Sequence, residues 1–238
     1  MSTTIELPKK TATITERMPP LQNGDRLTAE EFERRFDAMP NLKFAELING
    51  VVYMSPPIGF ESHSSPQFHF IGWLNFYGMA TLGVRGGGNT TLRLPLANRP
   101  QPDGFLFVSP ACGGQAHIDA RGYVVGGPEL VGEISATTAS YDLHDKLELY
   151  ERNQVQEYIV WRVFDQAIDW FRLRNGKFES MALAADGCYH SEVFPGLWLD
   201  PAALIRGDMQ AVFQTVQRGV ATPEHAALVA RLQAAASR

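Results

Sequence analysis

The chain has 238 residues, of which 45% are hydrophobic, 20% charged and 11% aromatic, so it can bury a sizeable core and is neither a disulfide mini-protein nor a disordered chain. Its 21 Lys+Arg against 26 Asp+Glu leave a formal charge of -5, which speaks against indiscriminate wrapping of nucleic acid and confines any such role to a local site or a dimer groove. The longest apolar runs fall short of the about 18–20 residues of a membrane span, and with only Cys112 and Cys188 present a reduced cytoplasmic setting is expected, without membrane association or a secretory signal.

Residues 1–25 are polar, lack periodicity and read as a loose leader. Thr28 followed by Glu31 forms a capping box, and Phe32, Phe36 and Met39 carry helical spacing up to Pro40. Segments 44–48 and 51–54 flank Asn49-Gly50, a strong hairpin signal. The apolar content of 63–82 predicts a mostly buried helix despite Gly72 and Gly78, with Trp73, Phe76 and Tyr77 as core or dimer contacts in preference to a base-stacking platform. Arg85-Gly-Gly-Gly-Asn-Thr lacks the Gly-Lys-Ser/Thr ending of a phosphate loop and reads as a flexible turn beside a cleft. Strands are predicted over 90–94 and 102–108, then a Gly- and Ala-rich loop to about residue 127.

A strand over 129–135, an amphipathic helix over 138–153 and a strand over 157–163 make a βαβ unit. A second hairpin, 167–173 with 178–183 around Asn175-Gly176, extends it with antiparallel strands, and two helices over 204–219 and 222–236 end the chain. The expected fold is α/β (α+β), with a mixed central sheet flanked by helices. The expected division is a leader (1–25), a main domain (26–200) and a C-terminal helical extension (201–238).

Three acids stand where binary patterning calls for apolar residues. Asp103 shares a strand face with Phe105 and Phe107, Glu133 with Val131 and Ser135, and Glu46 with Phe44 and Ile48. Lys146 borders the helical stripe formed by Leu143, Leu147 and Tyr150, thirteen residues after Glu133, a spacing that lets the helix fold back and aim its ammonium at the carboxylates. Asp142, four residues before Lys146, offers an ordinary surface pair, and His63 at a helix start reads as a surface residue of the first turn in preference to one that lines the cleft. Carboxylates from adjacent strand ends hold Mg²⁺ or Mn²⁺, and a nearby lysine can orient water or stabilise an oxyanion, a set suited to phosphodiester hydrolysis.

The order Phe44-Ala-Glu46-Leu-Ile-Asn-Gly-Val-Val-Tyr-Met-Ser-Pro-Pro57, Gln101-Pro-Asp103, Glu133-Ile-Ser135, Asp142-Leu-His-Asp-Lys146-Leu-Glu-Leu-Tyr150 and Glu157-Tyr158 resembles the Uma-type restriction endonuclease family of the PD-(D/E)XK nuclease superfamily. The resemblance covers roughly residues 25–200 and implies a restriction-endonuclease-like fold. It also implies Asp103 as motif aspartate, Glu133 as motif glutamate, Glu46 as a further acidic ligand and Lys146 as catalytic lysine. The superfamily's lysine two residues after the glutamate is replaced by Ser135, with the lysine moved to the following helix.

The reading that follows is a Mg²⁺- (or Mn²⁺-) dependent endonuclease acting on DNA. Glu46, Asp103 and Glu133 would bind metal, Lys146 would position water, and a homodimer would supply two sites for double-strand cutting. The rival readings are an inactive nuclease-fold module that binds nucleic acid or protein, and a metal-dependent hydrolase of another phosphoester.

Overall fold

The computed structural model describes residues 18–54 and 57–237; residues 1–17, most of the expected leader, lie outside it. Helix α1 (Ala29–Asp37) begins at Thr28, whose hydroxyl accepts from the Glu31 N–H at 3.2 Å. Strands β1 (Glu46–Ile48) and β2 (Val51–Tyr53) turn through Asn49 and Gly50 at φ 50° and 76°, left-handed conformations that Asn and Gly tolerate best. Leu21 is buried in this layer and the Gly24 N–H donates to the Val52 carbonyl, so the last residues of the expected leader pack against the hairpin.

A π-helical turn (Phe60–Ser64) leads into α2 (Ser65–Ala80). Then follow β3 (Val84–Gly87), β4 (Leu92–Arg93), β5 (Gly104–Val108), β6 (His117–Ile118), β7 (Val124–Val125) and β8 (Leu130–Ser135). Helices α3 (Ala139–Asp142) and α4 (Asp145–Arg152) connect β8 to β9 (Glu157–Arg162), which continues into β10 (Ala167–Arg174) and β11 (Lys177–Ser180). The chain closes with β12 (Tyr189–His190), β13 (Trp198–Leu199), α5 (Pro201–Ile205), α6 (Met209–Val220) and α7 (Pro223–Ala236).

The central sheet has six strands in the order β11-β10-β9-β8-β5-β3, and only β8 and β9 run parallel, as the βαβ reading requires. Helix α2 packs on one face with α5, α6 and α7, where Phe70, Trp73, Trp170, Phe194, Leu204 and Val216 share one core. The C-terminal helices therefore belong to the same hydrophobic unit as the sheet. The other face is covered by α4 and the first hairpin, around Phe105, Val131, Leu149, Tyr150 and Tyr158.

Four local expectations change. Arg85, Gly86 and Gly87 lie in edge strand β3, not in a flexible turn, because residues without side chains let the chain lie flat on β5: a Cβ on Gly86 would stand 2.9 Å from the Phe105 carbonyl oxygen, and one on Gly88, just past the strand, 2.4 Å from that of Asp103. The stretch read as a loop to residue 127 contains β6 and β7, which join β4 in a separate three-stranded sheet. The helix expected over 138–153 breaks at Leu143-His144, where the Asp142 carbonyl accepts from the Tyr158 hydroxyl at 2.9 Å in place of a helical N–H. Similarly, 204–219 divides at Gly207, at φ 73°, before Asp208 caps α6. Phe68 and Met79 of α2 are exposed, while Trp73 and Tyr77 are core residues.

Candidate active site

Strand alternation brings the acids to one face. Asp103, immediately before β5, lies on the side of Phe105 and Phe107; Glu133 of β8 lies on the side of Val131; Phe105 and Val131 pair across the two strands. Glu46 opens β1 and is fastened by the Gln101 N–H, which donates to its Oε1 at 2.7 Å. Helix α4 supplies Lys146, whose ammonium stands 3.0 Å from Glu46 Oε1, 3.0 Å from Glu133 Oε1 and 3.9 Å from Asp142 Oδ1. The Tyr150 hydroxyl, one turn on, donates to the same Glu133 oxygen at 2.8 Å. Glu46, Asp103, Glu133, Asp142 and Lys146 are all buried.

Asp103 has its own set of donors. The Ile134 N–H donates to Oδ2 at 2.7 Å, while Oδ1 lies 2.9 Å from His63 Nε2 and accepts from Gln67 Nε2 at 3.0 Å. His63 and Gln67 are four residues apart at the start of the α2 segment and so reach one point together. Behind β8, Ser135 touches Thr138 at 3.2 Å and Thr138 donates to Asp142 Oδ2 at 2.6 Å, so this serine steadies the connecting loop.

Burial pushes the Glu133 carboxyl well above the usual range, and Asp103, Asp142 and Glu46 add to that push against Lys146. Burial likewise raises Glu46. At Lys146 burial opposes the charge, but Glu133, Glu46 and Asp142 outweigh it and hold the ammonium well above the ordinary lysine value. The hydrogen bond to Asp103 raises His63. Three carboxyl groups, those of Glu133, Glu46 and Asp142, thus stand around one ammonium in a place poor in water.

The structure thus brings Glu46, Glu133 and Lys146 into direct contact, with Asp103 against the backbone next to Glu133. Lys146 does not border the helical stripe but lies in its buried centre with Leu149 and Tyr150, whereas Leu147 is only half-buried. Asp142 is not a surface partner, because the helix break turns it inward. His63 is not a free surface residue; the signal for it was its i,i+4 relation to Gln67 at a helix start. Tyr150 stood in the predicted stripe, but its hydroxyl contact depends on the approach of β8 to α4.

Residues 29–202 match the Uma2 family, described as "Putative restriction endonuclease". The chain belongs to the Uma2 family. A solved structure described as a putative nuclease belonging to DUF820, from Anabaena variabilis, is 14% identical, covers 80% of this chain and 99% of its own, and superposes with a TM-score of 0.53, a likeness of fold. No curated protein matches the chain. Uma2 membership makes this a nuclease-type protein with a mixed sheet flanked by helices. Among the described residues no helix is long and apolar enough to cross a membrane.

The donor chemistry of this Uma2 chain fits a hard divalent cation, since Glu46, Asp103 and Glu133 offer buried carboxyl oxygens, the ligand type such a cation prefers. Lys146 stands between Glu46 and Glu133 while Asp103 is turned to His63 and Gln67, and among the described residues no three acidic, histidine or cysteine side chains converge as a ready-made metal cage.

Proposed function

We propose that this chain is a divalent-metal-dependent endonuclease that hydrolyses phosphodiester bonds of DNA, using Mg²⁺ or Mn²⁺. The observation that carries the reading is the ammonium of Lys146 held at 3.0 Å by both Glu46 and Glu133 in a buried acidic cluster that includes Asp103. In this reading Asp103, Glu133 and Glu46 hold the metal, which when bound supplies a Lewis acid and an activated water. Asp103 is oriented for that task by Ile134, His63 and Gln67, and Glu133 by Tyr150. Lys146, protonated through the working range, is a donor and not a base, so it orients the attacking water or neutralises charge on a phosphoryl oxygen. Cutting two strands calls for two such sites, so the active species is a homodimer, and its setting is the cytoplasm.

Incubating supercoiled plasmid with the protein in Mg²⁺, Mn²⁺ or chelator tests the reading: nicked and linear products should need the metal and vanish with Lys146→Ala. No cleavage by the parent in either metal would overturn it. The formal charge of -5 favours a second reading, hydrolysis of a smaller phosphoester. A salt titration separates the two, because DNA binding through phosphate contacts weakens steeply with salt.

A further inference from the structure

Three tyrosines of the connecting helices and β9 surround the acidic cluster, and two of their hydroxyls are bonded within the fold. Tyr150 donates to Glu133 Oε1 at 2.8 Å and Tyr158 to the Asp142 carbonyl at 2.9 Å. The third, the hydroxyl of Tyr141 on α3, is buried and has no hydrogen-bond partner among the described residues. Its ring is fixed, with the Tyr53 ring centroid 4.6 Å away and the Lys146 ammonium 5.7 Å from its own centroid.

A shielded hydroxyl without a partner bears its full desolvation cost, and such groups persist where a ligand completes them. Burial, helped by the charges of Glu46 and Glu133 and opposed by that of Lys146, pushes the phenol up and keeps it neutral, so it retains a proton to donate. Neither carboxylate takes that proton in a hydrogen bond. A neutral donor beside an ammonium suits an oxygen-rich anion better than a cation or an apolar group.

We propose that Tyr141 is a substrate-contacting residue whose hydroxyl donates a hydrogen bond to a non-bridging oxygen of the scissile phosphodiester, next to Lys146. This rests on the nuclease reading and adds to it a contact made by a residue that is neither acidic nor basic. No bond forms or breaks at the phenol; it keeps its proton and shares it with the phosphoryl oxygen as charge gathers there.

Tyr141→Phe keeps the ring and removes only the hydroxyl. In chelator, without nucleic acid, it should melt no lower than the parent, whereas Tyr150→Phe, which loses a bond to Glu133, should melt lower. With Mn²⁺ and plasmid, kcat/KM should fall about 10- to 100-fold, and the Mn²⁺ concentration for half-maximal rate should stay unchanged. A clearly lowered melting temperature for Tyr141→Phe would mean that the hydroxyl is spent within the fold and would overturn the inference. Cleavage as fast as the parent's would overturn it while leaving the nuclease reading intact. If the parent cuts neither duplex nor single-stranded DNA in Mn²⁺, the nuclease reading fails, and this inference fails with it.

Discussion

The two faces of the central sheet are built from the same strands and do opposite things. On the α2 face, Leu130 and Ile134 of β8 and Ile159 and Trp161 of β9 pack against Phe70, Trp73 and Trp170 in a dry core. The buried acid there, Glu157, is satisfied by the Ser191 hydroxyl at 2.7 Å and the N–H groups of Glu192 and Val193 at 2.7 and 3.2 Å, so it ties down a loop. On the α4 face, one residue away along β8, Glu133 shares a single ammonium with Glu46 and faces repulsion from Asp103 and Asp142. One face spends its burial on stability. The other collects charge that the fold only partly compensates, a pattern found at sites where function costs stability.

The largest expected effect comes from breaking the charged face. Lys146→Ala should slow plasmid cleavage by at least about 10² to 10³. It should also destabilise the metal-free protein by about 3–5 kcal/mol, because Glu46 and Glu133 would remain buried without their cation. Part of that loss should return on adding Mn²⁺. Nicking time courses and melts check both, and parental cleavage by the variant would remove Lys146 from the mechanism. Trp73→Ala on the opposite face should cost a comparable 3–5 kcal/mol, roughly, through lost packing and the hydrogen bond to the Trp198 carbonyl. Its loss should be the same in chelator and in Mn²⁺, which urea titrations under the two conditions would show.

A somewhat smaller effect sharpens the contrast between the acids. Burial pushes Glu157 up from 4.5 to about 7. The folded state therefore holds this proton more tightly than the unfolded chain does, so the contribution is complete below the unfolded value and is lost as pH rises through about 7. It amounts to about 3 kcal/mol. Denaturant midpoints measured from pH 5 to 8 should fall in the parent and flatten in Glu157→Gln; parallel profiles would mean that another group governs the slope. Smallest is Glu133→Gln, whose amide oxygen can still accept from Lys146 and Tyr150 while the desolvated charge is gone. Without metal it should melt at or slightly above the parent. Saturating Mn²⁺, worth about 2.7 kcal/mol at a hundredfold excess over Kd, should stabilise the parent and barely move the variant. Equal shifts in the two proteins would take Glu133 out of the metal site.

Much of this molecule is written in short-range pattern. The Asn49-Gly50 and Asn175-Gly176 turns, the cap at Thr28, the βαβ unit and the extension of the sheet by an antiparallel hairpin all follow from local stereochemistry and from the periods of strand and helix. The same period of two exposed Glu46, Asp103 and Glu133 as acids on apolar strand faces, and helical spacing put Lys146 beside them. Pattern could not say that Asp142 turns inward, since the helix break depends on a tyrosine sixteen residues away. Nor could it assign His63 and Gln67 to Asp103, from which they are separated by 40 and 36 residues, or pair Gln101 with Glu46 across 55. It also read Gly86 and Gly88 as freedom where neighbouring backbone carbonyls demanded their smallness. Periodicity fixes which way a side chain points from its own strand or helix; what it meets there depends on how distant segments pair and pack, and that convergence left Glu46 and Glu133 sharing one lysine and the hydroxyl of Tyr141 without a bond among the described residues.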